Sequence, residues 1–144
     1  QMCIRDSYNT ESNNCEIAYF GILVEFFGKG YGGYLLSEAI KITRRAIEQQ
    51  NSSIHRDSLR ITLVEALLEH DEEQANAEFL FVSKPNESEK TLLHHRLDAR
   101  WWMCTSHLNP SLRQAALKEA ITKYRLAGCP RVANTIEARL HAML

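Results

Sequence analysis

The residues with the clearest chemical signature stand in a row, Gly28-Lys29-Gly30-Tyr31-Gly32-Gly33. Glycines at this density remove the side chains that would hold a pyrophosphate away from the backbone, and they permit the positive φ angles of tight turns. Where such a turn opens into a helix, several backbone N–H groups lie unpaired at the positive end of the helix dipole, and that is an anion site. The other reactive residue types are scattered. Cys3, Cys15, Cys104 and Cys129 form no Cys-x-x-Cys pair, and His94, His95 and His107 have no companions at zinc spacing. We therefore expect neither a metal site nor a disulfide framework, and a reducing cytoplasm as the compartment.

The elements that must hold the turn are readable on either side of it. Cys15 to Val24 is short, apolar and rich in aromatic and β-branched residues, which predicts a buried strand. Tyr34, Leu35, Leu36, Ala39, Ile40 and Thr43 recur at helical spacing and predict a helix to about Gln50, broken by Asn51-Ser52-Ser53. Leu59, Leu63, Val64, Leu67 and Leu68 mark a second amphipathic helix running into acidic Glu69 to Glu73. Phe79 to Val82 reads as a strand, Ser83 to Lys90 as a mobile polar loop, and Arg100 to Thr105 as another strand with Trp101 and Trp102 on opposite faces. Asn109-Pro110 then opens a helix carrying Leu112, Ala115, Ala116, Ile121 and Tyr124 on one face, which Gly128 and Pro130 stop. Arg131 to Leu144 is open between strand and helix.

The whole chain sets bounds. Its 144 residues, 44% hydrophobic and 24% charged, suffice for one domain with a core. The net charge of -1 comes from interspersed residues, which argues against nucleic acid, and no apolar run is long enough to span a bilayer. Residues 1–7, Gln1 to Ser7, show no strand or helix period and look like the in-frame translation of a sequencing adapter, so we expect a foreign scar joined to a truncated frame.

Three nucleotide-binding classes use a glycine turn of this kind. A Walker P-loop is excluded because no Gly-Lys-Ser/Thr follows at the required spacing. A Rossmann dinucleotide turn is literally matched by Gly28-x-Gly30-x-x-Gly33, but residues 51–56 offer no strand ending in the acidic residue that holds a ribose. The third class fits a longer stretch. Cys15 to Leu23, followed by Glu25-Phe26-Phe27-Gly28-Lys29-Gly30-Tyr31-Gly32-Gly33-Tyr34-Leu35-Leu36, resembles the acetyl-CoA-binding motif of the GNAT superfamily of N-acetyltransferases, Gln/Arg-x-x-Gly-x-Gly/Ala. Glu25 stands where Gln or Arg is usual. Trp101 to Pro110 looks like the family's next strand and exit loop, and Tyr124-x-x-x-Gly128-Cys129 like its Tyr-x-x-x-Gly-Phe signature with Cys for Phe.

The resemblance implies an α/β fold, a GNAT-like mixed sheet flanked by helices, incomplete at the N-terminus. Residues 8–144 would form the partial domain, with 51–99 a mostly helical or loop insertion. It also implies transfer of an acetyl group from acetyl-CoA to a primary amine of a small molecule or peptide. Gly28, Lys29, Gly30, Tyr31, Gly32 and Gly33 would bind the pyrophosphate through backbone N–H groups, and Ile22, Leu23 and Val24 the pantetheine arm, with Asn109 as a further contact. Tyr124 would be the general acid for the leaving thiolate, a role worth roughly 10²–10⁴-fold in rate, and Glu16 a base for the amine proton. Each has a plainer alternative: a core tyrosine, a solvated strand-edge glutamate, an Asn-Pro cap. A non-catalytic CoA-binding or interaction module, and a Rossmann-type protein, are the competing functions.

Overall fold

The computed structural model describes residues 2–9, 14–22, 31–86, 88 and 90–144, with side chains from residue 34 onward within those ranges. The chain divides into two compact units, Gln1–Leu63 and Val64–Leu144, and the division falls inside a helix.

In the first unit, strand β1 (Met2–Asn9) pairs antiparallel with strand β2 (Asn14–Ile22), from Met2 opposite Ile22 to Asn9 opposite Asn14. The register slips between Arg5 and Asp6, which leaves Ala18 as the extra residue of a β-bulge. Helix α1 (Tyr31–Gln49) follows, with Leu35, Ala39, Thr43 and Ile47 buried at a strict four-residue interval, one stripe of the cylinder. Thr43 sits inside that stripe because its hydroxyl donates to the Ala39 carbonyl at 2.8 Å, which satisfies a group that burial would otherwise strand. Helix α2 (Ser53–Leu67) begins after the expected break at residues 51 and 52. Its buried residues, Asp57, Leu59, Ile61, Leu63, Val64 and Leu67, exceed a single face, so α2 is covered on more than one side.

Every element of the second unit among its described residues is helical: the end of α2, then α3 (Glu72–Phe79), α4 (Leu92–Leu108), a 3-10 turn (Pro110–Leu112), α5 (Arg113–Leu126) and α6 (Pro130–Ala142). Leu117 and Ile121 of α5 pack with Ala133, Ile136 and Leu140 of α6, and Met103 and Tyr124 lean on this cluster. Burying each of the larger aliphatic side chains stabilises by about 1.5–3 kcal/mol, so this cluster contributes substantially to the cohesion of the unit.

The expected α/β architecture with a mixed sheet does not form. Among the described residues the only strands are β1 and β2, and every element from residue 31 onward is helical. Arg100 to Thr105 lies inside α4, where Thr105 and Ser106 donate their hydroxyls back to the Trp101 and Met103 carbonyls, a local bond that only helical backbone brings into reach. Trp101 and Trp102 consequently do not face opposite ways. Their rings meet edge to face at 4.9 Å, and Phe79 lies 5.3 Å from Trp101. Phe79 to Val82 ends α3 and turns away from it, with Leu80 as C-cap. The open segment 131–144 is resolved as α6, with Pro130 in the first turn. Residues 2–7, expected to belong to no element, lie in β1, which supplies the backbone partners that β2 needs.

Candidate functional site

The glycine motif runs between two described elements. β2 ends at Ile22 and α1 begins at Tyr31, while Leu23, Val24, Gly28, Lys29 and Gly30 lie outside the described residues. Tyr31, Gly32 and Gly33 form the first turn of α1, which carries no acidic residue to compete with a phosphate for the helix N-terminus. Glu16 and Ile22 lie in β2, opposite Ser7 and Met2 respectively.

Tyr124 and Asn109 belong to the second unit, where each has a local structural task. Tyr124 is in the last turn of α5. Its carbonyl accepts from Cys129 N–H at 2.9 Å, and the Arg125 carbonyl accepts from Gly128 N–H at 3.1 Å, with Gly128 at φ +73°. That pair of bonds is a Schellman cap, which requires four residues between Tyr124 and Cys129 and a left-handed glycine at position 128. The cap accounts for the glycine at position 128, while from residue 124 it takes only the carbonyl, which any residue type supplies. Asn109 ends α4: its N–H donates to the Thr105 carbonyl at 2.9 Å, and its Oδ1 accepts from the Ser111 hydroxyl at 2.7 Å. It is the C-cap of α4 and leads into the 3-10 turn that precedes α5.

Around Tyr124 stands an electrostatic cluster that sequence reasoning missed. Glu65 takes a two-pronged grip on Arg100, with Nε donating to Oε1 and Nη2 to Oε2, both at 2.9 Å. This fork geometry is the strong form of an ion pair. Burial works to lower the Arg100 pKa, but the hydrogen bond and charge of Glu65 overcome it and hold the guanidinium above its ordinary value. One turn along, burial pushes the Cys104 thiol up to about 12, with Glu65 adding to the rise and Arg100 opposing it. Such a thiol is no nucleophile at neutral pH. Burial raises the Tyr124 phenol as well, again with Glu65 adding and Arg100 and Arg96 opposing. Tyr124 thus keeps its proton, as any proton donor must. A separation of 35 residues between Glu65 and Arg100 left no periodic signal from which the pair could be read.

The histidines have structural surroundings. His94 completes a capping box with Thr91 at the start of α4, and His107 lies in the last turn of the same helix. The Nδ1 of His95 is buried without a hydrogen-bond partner, as are the Nε1 groups of Trp101 and Trp102. Among the described residues no group of three or more His, Cys, Asp or Glu could hold a metal ion. No described helix is long and apolar enough to cross a membrane. Comparison with protein-family models, curated proteins and solved structures finds no match to this chain.

Proposed function

We propose that the chain binds acyl-CoA through the segment between β2 and α1, and that it belongs to an N-acyltransferase using acetyl-CoA to acylate a primary amine. One observation carries the reading: Gly28 and Gly30 stand between a strand ending at Ile22 and a helix beginning at Tyr31, the local order that an anion-binding turn requires. In the reaction the amine nitrogen forms a bond to the thioester carbonyl carbon, the carbon–sulfur bond breaks, and CoA leaves as thiolate. The amine sheds a proton, for which Glu16 of β2 is the proposed acceptor, and the thiolate gains one from solvent.

A second reading is favoured by the helical state of Arg100 to Thr105, which takes away the second strand on which the resemblance rested. In it the chain binds CoA without transferring the acyl group. Thermal-shift titration with CoA and with NAD addresses both. A ligand at a hundred times its Kd stabilises by about 2.7 kcal/mol, well above detection. We expect a shift with CoA, lost in Gly30→Val, and none with NAD. A response to NAD alone would move the assignment to a dinucleotide, and silence toward both would end it. If CoA binds, acetyl transfer that falls roughly 10²–10⁴-fold in Glu16→Gln supports the base role, while no transfer to any amine leaves the binding module.

A further inference from the structure

Along α4 three ring nitrogens, His95 Nδ1, Trp101 Nε1 and Trp102 Nε1, are buried with no hydrogen-bond partner among the described residues. A step of three residues from His95 reaches Asp98, and steps of three and four from Asp98 reach Trp101 and Trp102, so all four lie along one side of the helix. Asp98 is paired, with the Lys90 ammonium. A buried donor without an acceptor bears the cost of leaving water uncompensated, and folded proteins seldom hold several together. The cover that α3 gives Trp101 is slight. Phe79, the last residue of α3 and itself half-buried, sets its ring 5.3 Å from the Trp101 ring at a tilt of 35°. Within α3 only Ala75 is buried, and Val82 follows beyond the helix end. A helix as short as α3 does not hold itself together without packing.

We propose that α3 is a lid on this side of α4: it lifts away while α4, α5 and α6 stay folded, and water then reaches the Trp101 indole. Two effects bring the lifted state close in free energy to the closed one. Hydration gives the indole N–H the hydrogen bond that it lacks when covered, and the lid surrenders little apolar burial, chiefly that of Phe79 and Val82. The closed state is held by the Phe79–Trp101 contact and by the cap of α3, where the Asp71 carboxylate accepts from Gln74 N–H at 3.0 Å. The chain is fixed on both sides of the lid. Before it, His70 and Asp71 donate their N–H groups to the Leu67 carbonyl; after it, Lys90 is tied to Asp98 with both side chains largely buried. Lifting α3 therefore turns a covered aromatic surface into one that offers an unpaired donor to solvent. The lid is independent of the acyl-CoA reading.

Native-state hydrogen exchange of the full chain, followed by NMR, reads three sets of protons together: the α3 amides from Ala75 to Leu80, the Trp101 indole N–H, and the α5 amides from Leu117 to Ile121. We expect the α3 amides and the indole to share one level of protection, about tenfold or more below that of α5. Asp71→Ala removes the cap from an exposed position and should lower the protection of both by about fivefold, with α5 unchanged. Phe79→Ala strips the contact itself and should lower both by about tenfold or more, again with α5 unchanged. An indole as protected as α5 overturns the proposal, whether tight packing or a sealed water is the reason. So does Asp71→Ala if it loosens the α3 amides and leaves the indole unmoved, since α3 would then fray without uncovering Trp101. A loss shared equally by α3, the indole and α5 in Phe79→Ala overturns it too, because α3 would then open only with the whole unit.

Discussion

The unit of residues 1–63 and the unit of residues 64–144 answer to different kinds of evidence. The first holds a motif whose chemistry is local: a strand, glycines and a helix start that could bind phosphate whatever else the chain does. The second holds the residues that a whole-family resemblance nominated, and there Asn109 and the glycine that follows Tyr124 by four are accounted for by how helices end, while the Tyr124 side chain packs on the buried cluster. The same spacing, tyrosine to glycine over four residues, serves an active site in one reading and a Schellman cap in the other. A motif built from backbone geometry transfers between folds, whereas a motif built from distant side chains transfers only with its fold.

The largest expected effect tests whether the units are separate. Ile121 bridges α5 and α6 in the buried cluster, so Ile121→Ala should cost about 2–5 kcal/mol in urea unfolding. Hydrogen exchange should accelerate in residues 64–144 and stay unchanged in residues 31–49. Equal acceleration in both would dissolve the distinction.

A smaller effect sharpens the capping account. An added Cβ at Gly128 meets nothing within 4 Å, so Gly128→Ala carries only the cost of the left-handed backbone, about 1–2 kcal/mol. For a unit of this size that corresponds to a fall in melting temperature of roughly 4–16 °C. An unchanged melting point would remove the cap from the explanation of the Tyr124–Gly128 spacing.

The effect that is smallest near neutral pH, and grows only above it, concerns titration. The Cys104 thiol is raised from 9.0 to about 12, so its contribution to stability is full below the ordinary thiol value. Above it the unfolded chain loses the proton first, and stability falls by at most about 1.4 kcal/mol per pH unit until the folded thiol also ionises. Tyr124 is shifted in the same direction and adds to the loss at higher pH. Cys104→Ala should flatten the alkaline limb of the stability profile. A profile identical to the parent's would mean that Cys104 ionises with the unfolded chain.

How much was legible depended on whether a signal was local. The helix from Arg113, its proline start and its glycine stop were readable because capping residues act on their own neighbours. So was the stripe through Leu35, Ala39 and Thr43, which repeats within one helix. Phe79 to Val82 and Arg100 to Thr105 were misread because a run of four to six apolar residues fits a buried strand and a helix segment equally well. The decisive information lay in their flanks: Thr91 caps α4, and the pattern from Leu92 to Leu108 contains no breaker. The Glu65–Arg100 fork and the Tyr124 environment depend on contacts across many residues, which no window along the chain contains.

Lys90 closes the polar segment after α3 by giving its ammonium to the Asp98 carboxylate, with both side chains largely buried. Lys84, at the open end of the same segment, is followed directly by Pro85. A protease that cuts after basic residues therefore meets a proline at one site and a sequestered side chain at the other. Residues 83–90 thus offer such an enzyme two basic residues and no ready point of cleavage.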